Sequence, residues 1–244
     1  MNKLETLQNW INESNNIVFF GGAGVSTPSG IKDFRSVDGL YNMKYKYPPE
    51  QILSHSFFIN KTKEFYEFYI DKLNCLDKEP NIWHKYLTIL ENTGKLKAII
   101  TQNIDGLHEK ARSTNIYNLH GTIYENECIS CHKKYKPEEI FTNNNYKCTC
   151  GGIIKPKVIL YEEPLDEKII TNSIKAISNA DLLLVVGTSL TVYPDASFVH
   201  YFKGKHLVII NKETTPMDNI ADLIIKDNIK EVFNYLNINT NINH

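Results

Sequence analysis

The sequence predicts an α/β protein, a parallel sheet with helices on both faces, with a small cysteine-rich module inserted between sheet elements. Three observations carry this. Short strands that are apolar throughout, such as Leu182 to Val186, alternate with helical segments, the pattern of strands buried on both faces. Several strands end in Gly, Asn, Asp, Thr, Ser or His, and ligands of such sheets collect at the carboxyl ends of strands. Four cysteines, Cys128-x-x-Cys131 and Cys148-x-Cys150, fall in one short segment.

The elements follow in order. Leu4, Leu7, Trp10 and Ile11 stand at helical spacing, so residues 2–14 read as an amphipathic helix. The β-prone run Ile17-Val18-Phe19-Phe20 empties into Gly21-Gly22-Ala23-Gly24, a turn that fits a phosphate-cradling loop or a bare structural turn. Thr27-Pro28-Ser29-Gly30 breaks any immediate helix, and no strand ending in an acidic residue follows about 20 positions on, so this is not the dehydrogenase fingerprint. Residues 50–93 read as helical, with one core face of Phe57, Phe58, Phe65, Phe68 and Tyr69 and another of Ile82, Tyr86, Ile89 and Leu90. Strands are expected at Leu96 to Thr101, Ile116 to Leu119, Lys157 to Tyr161, Leu182 to Val186, His206 to Ile210 and Leu223 to Ile225. Helices are expected at 166–179, 194–202 and 228–237.

A chain of 244 residues can bury one large core with a small appended module. A formal net charge of −1 argues against general nucleic-acid binding. Met1 to Thr6 has no apolar core of signal-peptide type, and Leu182 to Val186, the longest purely apolar run, is far too short to span a bilayer. The expectation is a soluble cytoplasmic protein with no membrane partner. Arg occurs only at Arg35 and Arg112, so a fixed guanidinium fork matters where one is used.

Two cysteine pairs on tight turns are the spacing of a tetrahedral thiolate zinc site, with Cys128, Cys131, Cys148 and Cys150 as ligands. Four ligands leave no position for water, so the metal is structural. Nearby Lys133, Lys134, Lys136 and Lys147 favour thiolates, and a cytoplasmic setting disfavours the competing disulfides. Cys75 reads as a buried thiol in a helical stretch.

Together the motifs resemble one family, the sirtuins, NAD-dependent protein-lysine deacylases, in a bacterial form close to the minimal catalytic core. The matching pieces are Gly22-Ala23-Gly24-Val25-Ser26-Thr27-x-Ser29-Gly30-Ile31-x-Asp33-Phe34-Arg35, Thr101-Gln102-Asn103-Ile104-Asp105-Gly106-Leu107-His108, Asn118-Leu119-His120-Gly121, the four cysteines, Gly187-Thr188-Ser189-Leu190 and Asn211. The resemblance implies one catalytic domain over 1–244. Its Rossmann-like large part covers about 1–35, 95–121 and 155–244, and its small part about 36–94 (helical) and 122–154 (zinc module). NAD is the implied co-substrate, with one structural Zn2+ per chain.

Carried over by position, the resemblance implies that Ala23, Thr27, Phe34 and Arg35 contact NAD, and that Gln102 and Asn103 face the nicotinamide-side ribose. Ile104 and Asp105 hold the carboxamide, Thr188, Ser189 and Asn211 serve the phosphate and adenine-side ribose, and Asn228 with Ile229 the adenine. Val158 begins the segment that pairs with a substrate peptide as an added strand. His120, also among the implied NAD contacts, is the implied base, because an imidazole accepts a proton at neutral pH, and Asn103 is implied as a second catalytic residue. Acetyl-lysine proteins or peptides are the implied partners, with free lysine, nicotinamide and O-acyl-ADP-ribose as products, and a monomer is expected. His108 reads as structural. Lys32 stands where the family has Pro and Glu162 where it has Gly. The stretch Tyr66-Glu67-Phe68-Tyr69 lacks the Arg that desuccinylating members carry, so acetyl and longer apolar acyl groups are expected over succinyl. Protein mono-ADP-ribosylation and a non-catalytic NAD- or zinc-dependent binding module are the competing readings.

Overall fold

A computed structural model of the chain describes residues 2–33, 39–40 and 45–236. Its strands are β1 (Ile17–Gly21), β2 (Leu96–Thr101), β3 (Ile116–Asn118), β4 (Gly121–Cys128), β5 (Lys134–Tyr135), β6 (Ile154–Val158), β7 (Leu182–Val186), β8 (His206–Ile210) and β9 (Leu223–Ile225). The α-helices are α1 (Lys3–Glu13), α2 (Pro49–Ile52), α3 (His55–Asn60), α4 (Thr62–Leu73), α5 (Ile82–Asn92), α6 (Leu107–Lys110), α7 (Pro137–Phe141), α8 (Glu167–Asn179) and α9 (Ile229–Tyr235).

Six parallel strands form the main sheet in the order β3-β2-β1-β7-β8-β9. Strand order reverses direction between β1 and β7, and the crevice outside such a switch point is where a ligand can enter. Along β1, side chains alternate between the two faces as a pleated strand requires. Ile17 and Phe19 join a core with α1, α5 and α9, whereas Val18 and Phe20 join a core with α8 and the 3-10 segment Asp195–Tyr201. This double burial is why β1 and β7 carry no polar side chain along their length.

The smaller sheet is antiparallel, in the order β5-β4-β6. It packs with α4 and α7 around an aromatic core in which Phe58, Phe65, Tyr66 and Tyr69 meet edge-on or stacked.

Local capping sets several boundaries. The Asn2 side chain accepts the Leu4 N–H while Glu5 reaches back to the Asn2 N–H, a reciprocal pair that starts α1. Asp166 accepts from the N–H groups of Lys168 and Ile169 and starts α8.

Several expectations are corrected. The β-prone run placed at Lys157 to Tyr161 begins earlier, as β6, and pairs antiparallel with β4 instead of joining the parallel sheet. The glycine loop, expected to break helix, winds as a 3-10 helix over Ala23–Ser29 and stops at Gly30, whose left-handed backbone ends it. The expected helix at 194–202 is likewise 3-10. On α5 the buried face is Trp83, His84, Tyr86, Leu87 and Leu90, while Ile82 is 44% exposed. Trp83 fixes that rotation by donating its indole N–H to the Ile229 carbonyl at 2.8 Å. The helix therefore packs on the main sheet, away from the aromatic core. Cys75 is buried as expected, but it lies in the connection after α4 and not in a helix.

Candidate active site and metal centre

The glycine loop after β1 and the turn after β7 meet at the switch point. The Gly24 N–H donates to the Gly187 carbonyl at 2.8 Å, and a Cβ on Gly24 would stand 2.7 Å from the Gly187 Cα. Only two bare backbones can approach this closely. Ala23 is half-buried at the head of the loop, and exposed Thr27 donates its hydroxyl to the Gly24 carbonyl at 2.9 Å. Phe34 and Arg35 lie outside the described residues.

The polar residues after β2 complete one wall. The Gln102 Oε1 accepts from the Thr188 hydroxyl at 2.7 Å, and its Nε2 donates to the Asp195 Oδ2. The Asn103 Nδ2 donates to the Gly22 carbonyl and the Ser26 Oγ, both at 3.1 Å. Ile104 is half-buried beside them and packs on the small-module core. Asp105 is buried, accepting from the Ser26 hydroxyl at 2.6 Å and the Leu107 N–H at 2.9 Å. Burial pushes its carboxyl above the usual range, and those two donors pull the other way.

His120 follows β3. Its Nδ1 lies 2.9 Å from the Gln102 carbonyl, an acceptor only, so Nδ1 carries the hydrogen and Nε2 the lone pair in the neutral ring. The ring is 23% exposed, open enough to meet a ligand. The His120 carbonyl accepts the Ile159 N–H at 2.9 Å, and Val158 pairs with Gly121, which sets the end of β6 beside the imidazole. Gln102, Asn103, His120, Thr188 and the glycine loop thus converge.

Other expected positions lie further along. Ser189 shares a 2.7 Å hydroxyl contact with Thr191 past β7. Asn211 follows β8, with its Nδ2 on the Glu213 carbonyl at 3.0 Å. The Asn228 side chain caps α9 by accepting the Lys230 N–H, and the Ile229 side chain is in the main core, so both side chains are engaged within the fold. His108 is 1% exposed and lies tilted against the His84 ring, with centroids 4.7 Å apart, in keeping with a structural role. Burial holds the His108 ring well below its ordinary range. Tyr66 and Tyr69 are fully buried, and the Tyr66 hydroxyl donates to the Ile154 carbonyl.

Sequence reasoning missed two participants. Ser26 sits inside a recognised motif but was given no role, although its hydroxyl links Asn103 to Asp105. Asp195, 0% exposed with its Oδ2 3.6 Å from the His120 Nε2, had only its place after Pro194 as a signal.

The four cysteine sulfurs lie within 4.8 Å of one another. The Cys128–Cys150 and Cys131–Cys148 separations are 3.6 and 3.5 Å. Zinc–thiolate bonds of about 2.3 Å place tetrahedral sulfurs about 3.8 Å apart, whereas a disulfide needs about 2.05 Å. The donor set therefore fits zinc. The Cys150 N–H and then the Tyr135 hydroxyl, both aimed at the Cys148 sulfur, bring that thiol down to about 6. Zinc held here would clamp the turn after β4 to the turn before β6.

Residues 22–194 match the Sir2 family model. An NAD-dependent protein deacetylase of Clostridium acetobutylicum is 54% identical over 237 residues, spanning 95% of this chain and 97% of that protein. One of the same name from Clostridium perfringens is 53% identical over 235 residues, spanning 94% and 96%. A Sir2 structure with a deacetylated p53 peptide and 3'-O-acetyl ADP-ribose matches with a TM-score of 0.89 at 34% identity, covering 96% of this chain and 97% of that one. A Sir2 complex with a p53 peptide and NAD+ gives a TM-score of 0.83 at 36% identity, covering 96% of each. On the sheet order, the convergent polar wall and these matches, the chain belongs to the Sir2 family.

Proposed function

We propose that this chain is an NAD-dependent protein-lysine deacetylase that moves the acetyl group from lysine to ADP-ribose, releasing nicotinamide. The observation that carries this reading is the placement of the His120 imidazole, with its tautomer set by the Gln102 carbonyl, between the glycine loop and the β6 end.

The chain's residues divide the work. Ala23 and Thr27 on the glycine loop contact NAD, as do Phe34 and Arg35. Gln102 and Asn103 orient the nicotinamide-side ribose, and Ile104 and Asp105 turn the carboxamide so that the nicotinamide departs and the acyl oxygen bonds to the vacated carbon. Thr188, Ser189 and Asn211 take the phosphate and adenine-side ribose, with the main chain at Asn228 and Ile229 beside the adenine. Val158 and the residues after it add the peptide as a strand. His120 Nε2 then takes a proton from a ribose hydroxyl, freeing that oxygen to attack the acyl carbon. Cys128, Cys131, Cys148 and Cys150 would hold a structural zinc that ties the small module together and supplies no chemistry to the reaction.

Apolar acyl groups are favoured because Tyr66-Glu67-Phe68-Tyr69 carries no Arg, so a buried succinyl carboxylate would lack that partner. Among the described residues no helix is long and apolar enough to cross a membrane; a cytoplasmic monomer acting on acetylated proteins completes the reading.

The test is purified protein with an acetyl-lysine peptide, with and without NAD. Deacetylation that requires NAD, and loss of O-acetyl-ADP-ribose in His120→Ala, are expected. Activity independent of NAD, or ADP-ribosylated protein as the sole product, refutes the proposal.

A further inference from the structure

A carboxylate with no exposure is costly unless paired. Asp195 is such a group, and its one ion-pair partner among the described residues is His120, 3.6 Å away from Nε2 to Oδ2. The same Oδ2 accepts the Gln102 amide, whose oxygen is held in turn by Thr188. Its Oδ1 is buried with no hydrogen-bond partner among the described residues. The carboxylate is thus under-satisfied beside a neutral imidazole. It gains its full partner when that ring becomes an imidazolium.

We propose that Asp195 is a positioning residue for the acetyl-transfer step. Its carboxylate fixes the Gln102 amide and stabilises the charge formed on His120. This rests on the deacetylase reading above. The proton leaves a ribose hydroxyl and arrives at Nε2, while the hydroxyl oxygen keeps the bonding pair and attacks the acyl carbon. Asp195 accepts throughout and takes no proton itself. Nicotinamide departure precedes the proton transfer and does not draw on this charge.

Asp195→Asn isolates the charge, because the amide keeps the shape and can still accept from Gln102. Turnover of an acetyl peptide should fall about tenfold or more, the scale of a lost charge-assisted interaction. Exchange of labelled nicotinamide into NAD and NAD affinity by calorimetry should each stay within about threefold. In ligand-free protein at acid pH, the His120 Nε2–H should exchange with water at least about threefold more slowly in wild type than in D195N, because the carboxylate holds it. Asp195→Ser, neutral and smaller, is read the same way if D195N melts early. Wild-type turnover in D195N with impaired Asp195→Ala would leave Asp195 a packing role only, and equal exchange of the His120 proton would remove the pairing. Either result overturns the inference. If the wild type shows no NAD-dependent deacetylation, the functional reading fails, and the proton-exchange comparison still decides whether Asp195 and His120 are paired.

Discussion

Gly121 joins the base to the substrate strand, and its replacement by Ala tests that coupling. Its φ is +74°, in the left-handed region, and a Cβ there would stand 1.9 Å from the Lys157 carbonyl oxygen. An ordinary contact needs about 3.4 Å, so β6 must retreat by about 1.5 Å or the β4 start must rotate away. Either movement breaks the 2.9 Å bond from the Ile159 N–H to the His120 carbonyl and the Gly121–Val158 pairing. The left-handed backbone costs about 1–2 kcal/mol for a residue with a Cβ, and two lost backbone bonds about 1 kcal/mol each. The sum, about 3–4 kcal/mol, corresponds to a melting point roughly 10 °C lower for a chain of this size. Activity should fall further than stability, because a displacement of about 1 Å between base and substrate can cost about a hundredfold. The assays are a thermal melt and kcat/KM for an acetyl peptide, read below the variant's melting point, with zinc content as a control. A melting point within about 2 °C of wild type together with kcat/KM within about threefold would refute the coupling.

Three further outcomes follow from the same physics. Cys148→Ala should abolish zinc retention and lower the melting point by more than about 10 °C, since structural zinc contributes folding energy; native protein free of metal would refute the site. His84 is buried and its ring is held down to about 4 from the usual 6.5, so the unfolded chain binds more protons than the folded one between those values. Its contribution is complete above about 6.5 and is lost as pH falls through about 4; buried His108 acts in the same direction, and denaturant melts across that window should show a slope that His84→Gln reduces. A succinyl peptide should turn over at least about tenfold more slowly than the acetyl peptide, and comparable rates would show that a cation reaches the acyl pocket.

Strand identity is legible wherever a strand is buried on both faces along most of its length, because it then stands out as a mostly apolar run, even where β2 exposes Lys97 and β8 begins with His206. β2, β7, β8 and β9 were therefore placed to the residue. β6, Ile154-Lys155-Pro156-Lys157-Val158, was not, since it alternates, with Lys157 exposed and Val158 buried, and its pairing with β4 is non-local. The face of α5 was misread for a similar reason. Periodicity gives a helix its stripe but not its partner, and the Trp83 bond to Ile229 spans 146 positions.

The amino-acid sequence alone determined the α/β class, the four thiolates, the glycine loop and the histidine at a strand end. The class follows from apolar runs alternating with helical ones, and the others from spacing within short stretches, where backbone geometry translates order directly into position. Only the tertiary structure decided that β1 and β7 are neighbours at the point of reversal, so that Gly24 rests on Gly187. It also set Asp195 against His120 across 75 positions. Such a juxtaposition is fixed by how strands order and helices pack, interactions summed over the whole core, and no local pattern in the chain encodes it.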